Sequence, residues 1–277
     1  MKGLYIHIPF CKSKCYYCDF NSVTNTEYQD EYIDVLIKEI DSLEEENFDT
    51  IFIGGGTPTI LSIKNMEKLL YKLEKFTPIE YTIEANPGTL NNEKLRLLKA
   101  YGINRISMGL QSTNNNILNS LGRIHTYEEF LNNYNEARSL GFNNINLDLM
   151  FNLPNQSVND FLKSLMKVIE LKPQHISCYS LIIEENTLFE ELYQKGKLNL
   201  LDEEEERLLY HTMIKTLEKY GYQQYEISNF SMPGFECKHN IIYWNDDDYV
   251  GVGAGAHSYI NGIRYSNFKD IKNIYIT

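Results

Sequence analysis

Six short apolar runs alternate with amphipathic helical patterns along most of this 277-residue chain. Each run has the length of a buried strand, and the segments between the runs are long enough for crossover helices. This alternation is typical of repeated βα units that build a parallel sheet. The six predicted strands are Leu4–Ile8, Thr50–Ile53, Tyr81–Ala85, Arg105–Leu110, Asn144–Met150 and His175–Leu181.

Six such units predict an α/β fold, a partial (β/α)6 barrel of parallel strands over residues 1–182. Helix starts are expected at Ser62, at Thr126 with Glu129, and at Ser157 with Asp160, since these residues can cap backbone N–H groups. After Leu181 the pattern changes to a helix over residues 202–220 and a tail rich in glycine and aromatic residues. Residues 183–277 are therefore expected to form a C-terminal α/β extension.

Three cysteines follow the first predicted strand directly, in the pattern C-x3-C-x2-C. Ligand sites of parallel sheets lie at the C-terminal ends of the strands, which is where Cys11, Cys15 and Cys18 fall. Three thiolates can hold a [4Fe–4S] cluster and leave one iron open. A structural zinc ion would need a fourth ligand, for which His7 is the near candidate. A disulfide would leave an odd thiol, so the cluster is favoured over both alternatives.

The segment Cys11-Lys-Ser-Lys-Cys15-Tyr-Tyr-Cys18 resembles the signature of radical S-adenosylmethionine (SAM) proteins. The rest of the chain is similar to the oxygen-independent coproporphyrinogen III oxidase group, and especially to its haem chaperone branch. The resemblance implies the same six-unit partial barrel. The motifs that carry it are Gly54-Gly-Gly-Thr-Pro58, Glu84-Ala-Asn-Pro87, Arg105-Ile-Ser-Met-Gly-Leu-Gln-Ser112, Leu121-Gly-Arg-Ile-His125 and Asp148.

The resemblance also implies which residues contact SAM and what they do. Arg123 would pair with the methionyl carboxylate, while Glu84, Gln111 and Asp148 would take the ribose hydroxyls or the ammonium. From the residues alone, a carboxylate in an apolar strand such as Asp148 is costly without a partner, and such groups can also pair across a barrel interior. The implied SAM set is Tyr5, Gly55, Gly56, Thr57, Glu84, Gln111, Arg123 and Asp148, with Tyr17 near the adenine.

The mechanism implied by the resemblance places SAM on the open iron through its amino and carboxylate groups. One-electron reduction of the cluster then cleaves the sulfonium to methionine and a 5′-deoxyadenosyl radical. The protein positions that radical and excludes water. No side chain in the set is required as a catalytic acid or base.

Two segments bear on the choice between haem chaperone and oxidase. Oxidases of this group tend to carry a fourth cysteine two residues after the third, where this chain has Phe20. The segment His239-Asn-Ile-Ile-Tyr-Trp244 is similar to a haem-associated segment of the chaperone branch, which implies haem contacts for His239, Tyr243 and Trp244. Read as a polar loop, the same residues could instead cover the open barrel edge.

Three functions therefore stay open: a haem carrier, an anaerobic porphyrinogen oxidase, and a radical SAM enzyme with another substrate. Phe20 disfavours the oxidase, and the His239 segment favours the carrier. The expected partners are haem or a porphyrin, an electron-donor protein and haem-accepting enzymes.

Charge and cysteine usage exclude several other classes. A net charge of −12 gives no electrostatic support for binding nucleic acid. No run is apolar over transmembrane length, and clustered cysteines suit a reducing compartment, so a cytoplasmic protein is expected. The sequence ends at Thr277, where the resembled group continues into a further C-terminal domain, and the expectation is that this chain lacks it.

Overall fold

The structure is a computed structural model that describes residues 1–44 and 47–271, so the expectation at the Thr277 end lies outside the described residues. All six predicted strands are present. They are β1 (Gly3–Ile8), β2 (Thr50–Gly55), β3 (Glu80–Ala85), β4 (Arg105–Gln111), β5 (Ile145–Phe151) and β6 (His175–Ser180). The helices among them are α1 (Gln29–Asp41), α2 (Ile63–Leu73), α3 (Asn92–Ala100), α4 (Asn115–Ser120), α5 (Tyr127–Ser139) and α6 (Val158–Glu170).

The predicted helix caps form as side-chain to backbone hydrogen bonds. The Thr126 hydroxyl accepts from the Glu129 N–H at 3.2 Å, and the Glu129 carboxylate accepts from the Thr126 N–H at 2.8 Å. Ser157 and Asp160 form the same reciprocal pair at the start of α6. Each cap contributes about 1 kcal/mol to stability. These local bonds fix where the crossover helices begin.

The six strands lie side by side in chain order and run parallel, in one open sheet. Successive side chains of a strand point to opposite faces of the sheet. Ile106, Met108 and Leu110 of β4 share the face that the helices cover, and they are fully buried. Arg105 and Ser107 point to the opposite, concave face and line a cavity. The predicted partial barrel is confirmed: the sheet is curved around a cavity and does not close on itself.

The C-terminal extension continues this sheet at both edges. Within the described residues, β9 runs parallel beside β1, and β8 runs antiparallel beside β6. The predicted boundary between residues 182 and 183 stays a prediction. The elements of the extension are α7 (Leu188–Gln194), α8 (Glu203–Lys219), β7 (Gln223–Gln224), β8 (Asn229–Ser231), α9 (Lys238–Trp244), β9 (Tyr249–Val252), β10 (His257–Ile260) and β11 (Ile263–Ser266).

Helix α9 crosses the N-terminal ends of the central strands, opposite the cysteine loop. Glu80, the first residue of β3, accepts hydrogen bonds from the N–H groups of Lys238 (2.9 Å) and His239 (3.0 Å). A carboxylate in this place accepts hydrogen bonds from N–H groups of the first turn, and its negative charge interacts favourably with the helix dipole. The alternative that this segment is a polar loop does not hold: it forms a helix, and Glu80, distant in sequence, caps its first turn.

Candidate functional site

One cavity of about 480 Å³ brings most of the predicted site residues together. It begins at the cysteine loop and continues along the concave face of the sheet to Asn240 of α9. The volume lies within the range of ligand pockets, which is about 300–1,000 Å³. The predicted residues that line it are Cys11, Cys15, Cys18, Tyr17, Gly55, Gly56, Thr57, Glu84, Gln111, Arg123 and Asp148.

Backbone hydrogen bonds hold the cysteine loop across the mouth of the cavity. The N–H of Cys11 donates to the carbonyl of Val23 at 2.9 Å, which closes the loop at its base. Tyr16 donates to the carbonyl of Leu121 and accepts from the N–H of Phe189, so the loop is fixed between α4 and α7. The three thiols are therefore presented by a short, anchored segment.

All three cysteines are free thiols in partly buried positions. Burial, together with the charges of the neighbouring cysteines, raises the pKa of the Cys18 thiol to about 11. Thiolates are the form that binds iron, so a metal must displace these protons when it binds. Among the described residues, no three His, Cys, Asp or Glu side chains are grouped to hold a single metal ion.

Two glycines let β2 approach the cysteine loop closely. A Cβ on Gly56 would lie 2.7 Å from the carbonyl oxygen of Phe10 and 3.0 Å from the sulfur of Cys11. Gly55 has a φ of +113°, and a Cβ there would meet the His7 imidazole at 2.6 Å. Any larger side chain would push the loop away. Thr57 follows and donates from its hydroxyl to the Cys11 sulfur at 3.6 Å.

Glu84 and Asp148 place two carboxylates on the wall of the cavity. The Glu84 carboxylate accepts from the Gly55 N–H at 3.1 Å, and Asp148 accepts from the Asn146 amide at 2.6 Å. Burial raises the pKa of Glu84 to about 8, and the charge of Asp148 adds to that effect. Burial also raises the pKa of Asp148 to about 6. Two buried acids that repel each other favour a cationic ligand between them.

Arg123 links the cysteine loop to the opposite wall of the cavity. Its guanidinium donates to the Cys15 sulfur at 3.5 Å and to the Asn86 side-chain oxygen at 2.7 Å. It also donates to the carbonyl of Gly109 in β4. The Nε atom is buried and has no partner. A buried guanidinium with an unused donor, beside the thiols, suits an anionic group of a ligand.

Gln111 is turned toward the cavity by an irregularity at the end of β4. The pairing with β5 shifts register between Gly109 and Gln111, and Gln111 has a φ of +70°. A bulge of this kind redirects a side chain, and strained backbone is often found at functional sites. The Gln111 amide oxygen accepts from the Tyr179 hydroxyl at 3.0 Å, which fixes its orientation.

The remaining predicted SAM residue, Tyr5, does not line the cavity. Its hydroxyl lies 3.0 Å from the Nδ1 of His7, and its ring stacks near Phe52. Tyr17, by contrast, faces the cavity, and burial raises the pKa of its hydroxyl. Of the two tyrosines, only Tyr17 stands where a bound ligand could pack on its ring.

The predicted haem residues lie away from the cysteine loop, on α9. His239 is 1% exposed; its Nδ1 lies 2.7 Å from the Thr50 hydroxyl and its Nε2 lies 2.8 Å from the Tyr243 hydroxyl. Its ring also stacks on Phe52 with a centroid distance of 5.2 Å. Trp244 is 57% exposed. In this conformation both imidazole nitrogens are hydrogen-bonded, so haem ligation by His239 stays a prediction that requires these bonds to open.

Several lining residues were missed by the sequence analysis. They are polar side chains at alternate positions of the last three barrel strands, where the intervening residues are apolar and buried. The alternation of polar and apolar residues along these strands, with a period of two residues, was the signal that could have identified them. They are Arg105 and Ser107 in β4, Asn146 in β5, and Ser177 and Tyr179 in β6.

Comparison with known proteins agrees with this geometry. Residues 5–168 match the Radical SAM superfamily. The heme chaperone HemW of Bacillus subtilis is 42% identical over 99% of this chain and 75% of its own length. The heme chaperone HemW of Escherichia coli is 41% identical over 92% of this chain and 69% of its own.

Solved structures show the same fold. The coproporphyrinogen III oxidase HemN of Escherichia coli superposes with a TM-score of 0.84 at 27% identity, over 98% of this chain and 68% of the other. Streptococcus suis SuiB, in a structure bound to S-adenosylmethionine, superposes at 0.56 with 16% identity, over 78% of this chain and 48% of SuiB, which supports the fold alone.

The open barrel and its cysteine loop define a radical SAM protein, a class that implies a [4Fe–4S] cluster and SAM. Within that class the chain belongs to the HemW family, and the resemblance seen in the sequence is confirmed. None of the helices in the described ranges is long and apolar enough to cross a membrane.

Proposed function

We propose that the chain is a haem chaperone: a radical SAM protein that binds haem and delivers it to haem-requiring enzymes. The observation that carries this proposal is about 40% identity to heme chaperones HemW over nearly the whole chain. The proposed function fits a cytoplasmic protein whose partners are an electron-donor protein and haem-accepting enzymes.

The cavity supports the assignment of the radical SAM cofactors to particular side chains. Cys11, Cys15 and Cys18 would hold the cluster, and Arg123 would take the methionyl carboxylate. Burial raises the pKa values of Glu84 and Asp148, and a bound ammonium or sulfonium would lower them again and pair with the ionised carboxylates. When bound, a reduced cluster would supply the electron needed to cleave the SAM sulfonium. The chain's own residues orient SAM and screen it from water.

The proposed haem contacts are His239, Tyr243 and Trp244. The exposed indole of Trp244 offers a surface on which a porphyrin can pack. The His239 imidazole would become an iron ligand after release from Thr50 and Tyr243. Haem uptake would therefore be coupled to movement of α9, the helix that covers the N-terminal ends of the strands.

Phe20 separates this proposal from the oxidase alternative. Its side chain lines the mouth of the cavity and is 57% exposed, at the position where oxidases of the group tend to carry a cysteine. A phenyl ring cannot ligate iron or donate a hydrogen atom as a thiol can. The chaperone function is preferred for this reason.

Haem transfer tests the proposed function directly. The chain, reconstituted anaerobically with its cluster and loaded with one haem, is mixed with an apo-enzyme that needs haem. The activity of the acceptor enzyme should recover faster than when an equal amount of haem is supplied bound to albumin. Haem that binds but never reaches any acceptor would contradict the chaperone function while leaving radical SAM membership intact.

A further inference from the structure

Arg105 is a buried cation at the deep end of the cavity, opposite the cysteine loop. It is 2% exposed, begins β4, and lines the cavity on the same face as Ser107 and Gly109. Its guanidinium makes no hydrogen bond and no ion pair with any residue in the ranges 1–44 and 47–271, and its Nε is buried without a partner.

The acids nearest to Arg105 are engaged elsewhere. The Glu80 carboxylate accepts from the backbone of Lys238 and His239, and Asp148 accepts from Asn146. Their charges act on Arg105 through space, but neither forms an ion pair with it. A buried charge without hydrogen bonds is costly to a fold. The missing partner is an anion that the cavity can admit.

We propose that Arg105 binds the carboxylate group of a small-molecule ligand that enters the cavity from the cysteine-loop end. The planar guanidinium matches a carboxylate in a two-pronged geometry. Two more donors line the same region. Ser107 accepts from the Asn146 amide and keeps its own hydroxyl hydrogen for a ligand, and Asn240 of α9 also lines the cavity.

This subsite is distinct from the one at Arg123. Arg123 contacts the carbonyl of Gly109, four residues along β4 from Arg105, which corresponds to roughly 13 Å of strand. Glu84 and Asp148 lie on the wall that the two arginines share. A carboxylate at Arg105 could come from a haem propionate, or from the methionyl group of SAM if that group lies at Arg105 and not at Arg123 as assigned above. The inference rests on the cavity and does not depend on haem being the cargo.

The test compares binding affinities when the arginine side chain and the carboxylates of the ligand are removed separately and together. It uses protein whose cluster has been reconstituted. The ligand pairs are haem with haem dimethyl ester, and SAM with decarboxylated SAM; each pair differs by its carboxylates. The proteins are wild type, Arg105→Met, Arg123→Met and Arg264→Met, the last of which removes an exposed arginine of β11. Wild type should prefer the carboxylated member of one pair by roughly tenfold to a hundredfold.

Arg105→Met should abolish that preference, while Arg264→Met should keep it. Loss in the haem pair identifies a propionate, and loss in the SAM pair identifies the methionyl carboxylate. If Arg105→Met keeps the wild-type preference in both pairs, or if wild type shows no preference in either pair, the proposal is overturned.

Stability separates this binding role from a structural one. Removing a buried charge without a partner should leave the melting temperature of the ligand-free protein unchanged or raise it. If Arg105→Met does not fold, Arg105→Lys retains the charge without the planar fork, and it should lose most of the carboxylate preference. An Arg105→Lys protein with the full wild-type preference would overturn the proposal in that case.

Discussion

The guanidinium of Arg123 donates a hydrogen bond to the thiol sulfur of Cys15, 3.5 Å away across 108 residues of sequence. The contact joins the predicted cluster ligands to the predicted SAM residues. The same guanidinium donates to Asn86 and to the Gly109 carbonyl, so the ends of two strands, β3 and β4, and the cysteine loop meet at one side chain. A ligand that binds both the cluster and Arg123 would be enclosed by all of them.

The three-cysteine loop predicts about four irons and four sulfides per chain after anaerobic reconstitution, if one cluster forms. Cys15→Ser should lose most of this iron, because the loop has no further cysteine to replace it. Cys178→Ser is the matched control, since Cys178 is buried in β6 away from the loop. Iron and sulfide analysis with the visible spectrum checks the result. Stoichiometric zinc without sulfide in anaerobic protein would contradict the cluster.

Arg123→Ala is expected to weaken SAM binding by about 1.5–3 kcal/mol, the contribution of a charged hydrogen bond. SAM should also perturb the EPR spectrum of the reduced wild-type cluster, because it ligates the open iron. Arg96→Ala, on the exposed surface of α3, serves as the control. A wild-type spectrum that does not change at saturating SAM would rule out the assignment.

The raised pKa values of Glu84 (about 8) and Asp148 (about 6) predict that stability falls as pH rises. Between their ordinary values of 4.5 and 3.8 and these raised values, the folded chain holds more protons than the unfolded chain. The free energy of unfolding therefore decreases with pH over this range, by at most about 1.4 kcal/mol per pH unit for Glu84 alone.

Urea unfolding of ligand-free protein at pH 5 to 9 measures this slope. Glu84→Gln should flatten the dependence of the unfolding free energy on pH between pH 6 and 8, because the variant has no carboxyl group at this position to titrate. Glu93→Gln, on the surface of α3, should keep the wild-type slope. Equal slopes in all three proteins would show that Glu84 titrates normally.

His239→Ala is expected to remove or shift the Soret band of bound haem, if the imidazole ligates the iron. It should also lower stability by about 2 kcal/mol, because two buried hydrogen bonds are lost. Thr50→Val separates the two effects, as it breaks only the bond to Nδ1. With His239 more easily released, Thr50→Val should bind haem more tightly than wild type. Unchanged haem spectra in both variants would place the ligand elsewhere.

Coproporphyrinogen III should not be converted to protoporphyrinogen IX by the wild-type chain with SAM and a low-potential reductant. The reason is Phe20, which occupies the position of the oxidase-type cysteine. Anaerobic assays with product detection by fluorescence, beside a known oxidase as positive control, check this expectation. Robust turnover would reverse the preference for the chaperone function.

The sequence by itself determined the parts that depend on nearby residues. Short apolar runs predicted all six barrel strands, and the Thr126 and Ser157 caps form as expected, because a strand or a cap is encoded within a few positions. The cysteine spacing and the strand-end motifs likewise identified most of the residues that line the cavity.

Only the tertiary structure decided what depends on contacts between distant segments. Glu80 caps α9 across 158 residues, which makes that segment a helix and encloses His239 against Thr50. Arg105 lies between Asn104 and Ile106 in the sequence, and only the folded sheet shows that, within the described ranges, its guanidinium has no hydrogen-bond or ion-pair partner. The physical reason is that burial and pairing of a charge are set by every chain segment packed around it, and local periodicity carries no information about those segments.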